Sequence, residues 1–252
     1  VNSGGEIVLL AYDCKNMRPV WKRVISAGKR KSSAIRISVS QTGKIDDNIV
    51  DLTLDHKMII FDNRELIKKQ ILDILKSKEM ICLVDKLPNG IKSNNPKKAY
   101  LLGALLSDGY FKVIMHHTGN PRRGVVTFTQ KDTEAKEEFI DTVKQYFYDV
   151  FGENFREGRI KYTKSNFRGR LIEGYATDYI CSKLTPAMEL SQISQNLDRW
   201  VLRLDENSSL NFLAGLIDGD GCFYKNRLHI YISKENVLQG ALLSCLNLGI
   251  FP

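Results

Sequence analysis

The spacing of apolar residues changes character along the chain. Up to about residue 62 they come in short or alternating runs, Glu6–Tyr12, Ala34–Ser40 and Ile49–Ile60, separated by Gly, Asn, Asp and Lys, a pattern that predicts strands joined by turns. Asn63 is placed to cap a short helix carrying Leu66, Ile67, Ile71, Leu72 and Leu75 on one side, and Met80–Val84 predicts a return to strand. The polar stretch Asp85–Lys98, with two prolines and a glycine, predicts a domain boundary. From Ala99 the predicted order is helix, strands, helix, strands. Strands at Phe111–Met115 and Gly124–Gln130 flank the turn His117–Arg123, and a helix carries Phe139, Ile140, Val143, Phe147, Val150 and Phe151. A strand pair rich in Lys, Arg, Tyr and Phe is expected within Arg159–Tyr179, followed by a helical stretch from Leu184 to Arg203.

Two apolar runs end alike. Leu101-Leu102-Gly103-Ala104-Leu105-Leu106-Ser107-Asp108-Gly109 and Leu213-Ala214-Gly215-Leu216-Ile217-Asp218-Gly219-Asp220-Gly221 each close on Asp-Gly. One such run is ordinary, since glycine stops helices and aspartate tolerates turns, but two of equal length read as duplicated modules. After the second run, strands are expected at Cys222–Lys225 and Arg227–Lys234, and an apolar helix from Val237. This second copy stops at Pro252, well short of the first, and is expected to be truncated or part of a longer chain.

The 252 residues suffice for two modest domains, and 37 Lys+Arg against 29 Asp+Glu give a net charge of +8, which suits a polyanion such as nucleic acid. The five cysteines lack a CxxC pair and read as reduced, mostly buried thiols. No apolar stretch approaches the roughly 18–20 residues that span a bilayer, so the chain is expected to be soluble and intracellular, without a membrane partner.

Glycine inside a helix costs about 0.5–1 kcal/mol relative to alanine, and close approach of two helices is a reason to keep Gly103 and Gly215. If the two helices pack side by side, Asp108 and Asp220 meet at their ends. Paired carboxylates repel, yet suit hard divalent cations with oxygen ligands. The plainer alternative makes each Asp a helix-terminal turn residue.

The second run resembles the signature of the LAGLIDADG homing endonucleases at every position except Gly219, where the family has alanine; the first keeps the leucine, the glycine and the terminal Asp-Gly. The resemblance implies an α+β fold with a duplicated αββαββα endonuclease domain at 99–252, its first repeat at 99–209 and a partial second at 210–252. The implied activity is metal-dependent hydrolysis of both strands of a long double-stranded DNA site by a monomer with an internal pseudo-two-fold repeat. Asp108 and Asp220 would hold Mg²⁺ or Mn²⁺. Gln130, at a strand end, matches a polar residue beside the metals, with Ser233 or Lys234 its counterpart; equally, it could cap the next helix. Some family members carry a lysine in the segment here read as Ser191–Trp200, which contains none. A DNA- or RNA-binding relative without cleavage, a maturase or regulator, is the alternative.

The family's DNA surface is a saddle of antiparallel strands, and Lys112, Arg122, Arg123, Lys131, Arg159, Lys161, Lys164, Arg168, Arg170 and Lys234 lie on or beside the predicted strands. A solvated sheet face would carry the same residues. In the opening region, Thr53 and His56 resemble the Thr-x-x-His element of intein splicing domains, in which endonucleases are commonly inserted. The resemblance implies a Hint-like β-rich domain at 1–88 and a linker at 89–98. With Val1 first and Phe251-Pro252 last, the chain as it stands is not expected to splice.

Overall fold

The computed structural model describes residues 8–250 except 14, 17, 27–30, 39–48, 63–64, 78–80, 83–85, 88–92, 132 and 168–169. Its contacts divide the chain into two compact units, Val1–Pro88 and Asn89–Pro252. The architecture is mixed α/β, and among the described residues no helix is long and apolar enough to cross a membrane.

The first unit holds three antiparallel two-stranded ribbons: β1 (Val8–Asp13) with β2 (Arg18–Arg23), β3 (Ala34–Ser38) with β4 (Ile49–Thr53), and β5 (Lys57–Asp62) with β6 (Glu65–Gln70), followed by α1 (Ile71–Ser77). The single strand expected over Ile49–Ile60 is instead two strands, broken where the His56 N–H donates to the Thr53 carbonyl at 2.9 Å. The helix expected to be capped by Asn63, itself outside the described residues, begins only at Ile71. Leu66 and Ile67 lie in β6, because six-residue pairing with β5 outweighs a helical spacing of leucines. Of the strand expected at Met80–Val84, the described Ile81 and Cys82 make an isolated bridge to Ile60 and a hydrogen bond to the Ile59 carbonyl. Among the described residues of the unit, Ile60, Ile71, Ile74 and Leu87 are buried.

The first helix of the second unit is α2 (Pro96–Asp108), which starts three residues before the expected Ala99. Pro96 is suited to a first helical position, and the Asn95 side chain accepts from the Lys98 N–H. Next come β7 (Gly109–Met115), β8 (Pro121–Lys131), α3 (Glu134–Phe151), β9 (Arg156–Phe167), β10 (Arg170–Cys181), α4 (Leu184–Gln195) and α5 (Leu197–Val201). The stretch expected as one helix to Arg203 is thus two, divided at Asn196. The four strands form one antiparallel sheet in the order β7-β8-β10-β9. The rest of the unit comprises α6 (Glu206–Asp220), β11 (Gly221–Tyr224), β12 (Arg227–Ile230) and α7 (Glu235–Leu248). Its hairpin turns through Lys225 and Asn226, both at positive φ (50° and 58°), as a two-residue turn between twisted strands requires. The strand expected to reach Lys234 ends at Ile230, and Lys234 caps α7.

The sheet buries Val126 and Phe128 under Phe139, Ile140, Val143 and Phe147 of α3 and under Ala187 and Leu190 of α4. Every residue of α2 from Ala99 to Leu106 is buried, since α6, α3 and the sheet enclose it. Of the described cysteines only Cys181 is buried, Cys82 and Cys245 are half-buried and Cys222 is exposed, which corrects the expectation of mostly buried thiols.

Candidate functional site

The site is built on the crossing of α2 and α6. A Cβ placed on Gly103 would stand 2.3 Å from the Phe212 carbonyl oxygen, and one on Gly215 would stand 2.1 Å from the Tyr100 carbonyl oxygen. Both positions touch backbone, so only glycine lets the helices approach this closely. One turn later the stripe continues as Ser107 against Gly219, where a Cβ would meet Ser107 Oγ at 1.9 Å and Asp108 Oδ2 at 3.1 Å. The serine on α2 thus occupies the space that an alanine at position 219 of α6 would need.

Just beyond that stripe the two acids converge. Asp108 ends α2 half-buried, and Gln130, buried near the end of β8, donates its side-chain N–H to Asp108 Oδ2. Burial, and secondly the negative charge of Asp220, push the Asp108 carboxyl up to about 6; the Lys136 charge and the Gln130 hydrogen bond act the other way. Asp220 is exposed at the end of α6, and it lines a small cleft with Ser107, Ser233 and Lys234. Asp218 is engaged structurally: Tyr100 Oη donates to its Oδ2 at 2.6 Å, and Lys136 Nζ donates to its backbone carbonyl at 2.6 Å.

Among the described residues no cluster of three or more His, Cys, Asp or Glu side chains could hold a metal. Two oxygen-bearing side chains remain, which fits Mg²⁺ or Mn²⁺ better than Zn²⁺. Magnesium keeps several waters and takes one or two carboxylates, and a cation relieves the repulsion that raises Asp108. Asp108 and Asp220 are the residues that would hold it.

Residues 207–252 match the family model described as LAGLIDADG-like domain. The match contains Gly215, Asp218, Gly219 and Asp220, and so one of the two crossing helices. Over 258 aligned positions the chain is 31% identical to the probable phosphoenolpyruvate synthase of Methanocaldococcus jannaschii; the alignment takes in 100% of this chain but only 20% of that protein. Solved structures of the homing endonuclease I-DmoI superpose with a TM-score of 0.43, among them a variant with its target DNA and Mg at 19% identity, covering 61% of this chain and 78% of that one. The complex of I-DmoI with DNA and Mn gives 18% identity at the same TM-score of 0.43 and the same coverage of 61% and 78%.

Of the other residues singled out in the sequence, Thr53 and His56 lie in the first unit, at the turn between β4 and β5. Lys112, Arg123, Lys131 and Lys161 share the face of the sheet that points away from the buried Val126, Phe128 and Gln130, as the register Lys112↔Val125, Ile114↔Arg123 and Lys131↔Ala176↔Lys161 requires. Lys164 pairs across to Glu173 at 2.9 Å on the opposite face, which separates it from this group. Arg122 and Arg159 are exposed on β8 and β9; Arg170 opens β10, and Arg168 lies outside the described residues.

Three residues escaped the sequence reading. Asp178 sits on the Lys161 face, accepting from Thr129 Oγ1 at 2.8 Å and from Lys161 at 2.5 Å. Burial alone would raise its carboxyl, but these two donors hold it below the usual range. Tyr100 and Lys136 reach Asp218 from α2 and α3, across long sequence separations that leave no periodic signal.

Proposed function

We propose that the chain is an intein-type, site-specific homing endonuclease that hydrolyses phosphodiester bonds in both strands of a long double-stranded DNA site, acting as a monomer. The observation that carries this reading is the convergence of Asp108 and Asp220 at the ends of two helices packed through glycine, with Asp108 raised by burial and by its neighbour's charge. Two exposed or half-exposed acids held this way serve no packing purpose.

A divalent cation bound there would supply Lewis acidity and an activated water for attack on phosphorus. Asp108 and Asp220 would bind and place that cation. Gln130 orients the Asp108 carboxylate through its side-chain N–H, and the Gln130 carbonyl oxygen remains to accept from water. Lys112, Arg123 and Lys131 give the sheet face charge for phosphates, with an affinity that falls as salt rises. The intein context draws support from the Thr53–His56 turn and from an alignment spanning this whole chain but a fifth of a large relative, as an inserted element within a host enzyme would give.

The test is Mg²⁺-dependent cleavage of a plasmid library carrying randomised inserts, with Asp220→Asn and Asp108→Asn in parallel. Defined cuts that both substitutions abolish support the reading. A protein that binds DNA without cutting it supports the second reading, a non-cleaving nucleic-acid binder. That alternative is favoured by the Ser191–Trp200 segment, which contains no lysine.

A further inference from the structure

Lys136 stands in the first turn of α3, far in sequence from either acid. Its Nζ donates to the carbonyls of Asp218 at 2.6 Å and Gly219 at 3.3 Å, and lies 4.9 Å from the centre of the Phe139 ring. These carbonyls belong to the last turn of α6, where a helix has no internal donors left and its dipole is negative, so an ammonium is the complementary group. Tyr100 meanwhile holds the Asp218 side chain from α2. The turn that presents Asp220 is therefore tied down from two other helices. The second copy offers no equivalent: the third residue of α7 is Val237, buried and apolar, where the third residue of α3 is Lys136.

We infer that Lys136 is a positioning residue for the acid pair. It clamps the C-terminal turn of α6 so that Asp220 faces Asp108, and it supplies from α3 a positive charge near the acids in a chain whose Ser191–Trp200 segment contains no lysine. The inference rests on the nuclease reading. Lys136 touches neither DNA nor the reacting atoms in this role; its effect passes through the backbone of Asp218 and Gly219.

The test compares single-turnover cleavage at saturating DNA with DNA affinity, using the full chain and the variants Lys136→Met, Lys136→Gln and Lys136→Arg. Misplacement of a reacting group by about 1 Å costs roughly 100-fold in rate. The expected result is a cleavage rate lowered by about that factor in Lys136→Met, DNA affinity within about 2-fold of the parent, and recovery of most of the rate in Lys136→Arg. A Lys136→Met protein that cuts at the parent rate overturns the inference while leaving the nuclease reading intact. If Lys136→Met does not fold, Lys136→Gln decides in the same way, since its shorter, neutral amide brings no charge to the two carbonyls. A parent chain that binds DNA and cuts nothing overturns the nuclease reading itself, and the inference falls with it.

Discussion

The two acid-bearing helices, α2 and α6, are alike where they touch and unlike where they end. At the crossing they exchange near-identical contacts: each glycine presses on a carbonyl of the other helix, 2.3 Å from a virtual Cβ in one direction and 2.1 Å in the other. At the ends the symmetry fails. Asp108 is half-buried and held by Gln130 from a four-stranded sheet, whereas Asp220 is exposed, follows into a hairpin of two four-residue strands, and has its turn clamped by Lys136. The glycine crossing thus sets the approach of the helices, and the surroundings of each helix end then give its carboxylate a different character.

The symmetric part is the most costly to disturb. Gly103→Ala and Gly215→Ala each drive a methyl into backbone that cannot yield, and overpacking of this kind outweighs the helix propensity gained, with a net loss of about 3 kcal/mol each. Urea unfolding should show the two losses equal to within about 0.5 kcal/mol, the limit of additivity-type error. One glycine tolerated and the other not would show that the crossing is not a true two-fold contact.

The asymmetric part makes a pH-dependent prediction. In the metal-free protein the Asp108 carboxyl is raised from 3.8 to about 6, chiefly by burial and then by Asp220. Below the unfolded value both states are protonated and nothing is lost. As pH rises towards about 6 the unfolded chain releases its proton first, so wild-type stability falls across this window and levels off above it. Asp108→Asn does not titrate and should be more stable than wild type at pH 7 by on the order of 1–2 kcal/mol, after allowance for solvent screening, with no advantage at pH 3.5. Thermal melts in chelator at the two pH values test this. A constant difference between variant and wild type across the range would place Asp108 in a less buried setting than the one described.

Legibility in the sequence followed the range of the interactions. The mid-helix glycines and the repeated Asp-Gly endings were visible because each lies within a single short run of the chain, and the strands of the second unit followed the alternation Val126, Phe128, Gln130. Gln130 was reached only through resemblance to a family, since a buried glutamine at a strand end looks the same whether it caps a helix or holds an acid. In the first unit, Leu66 and Ile67 had helical spacing but joined β6, because partners on β5 decide the outcome. Lys136, Tyr100 and Asp178 carry no local pattern at all; their partners are 82, 118 and 49 residues away, so only the folded chain brings them together.

The smallest and most specific effect lies between these two regimes, at Ser107 and Gly219. Their pairing is the point where the crossing stops being symmetric: small residues still face each other, but one carries a hydroxyl and the other no side chain at all. A Cβ on Gly219 would stand 1.9 Å from Ser107 Oγ and 2.7 Å from Ser107 Cβ, and the hydroxyl is already committed to the Ala104 carbonyl at 2.8 Å. Gly219→Ala alone should therefore cost about 1–2 kcal/mol, less than the backbone clashes at Gly103 and Gly215 because a side chain can move. Ser107→Gly alone opens space and loses a helix hydroxyl contact for about 1 kcal/mol. The double variant exchanges the hydroxymethyl of one helix for a methyl on the other at nearly constant volume, so its loss should fall below the sum of the two by about 1 kcal/mol or more. Simple additivity in that double-mutant cycle would mean that Gly219 is retained for the backbone geometry next to Asp220 and not for the room taken by Ser107.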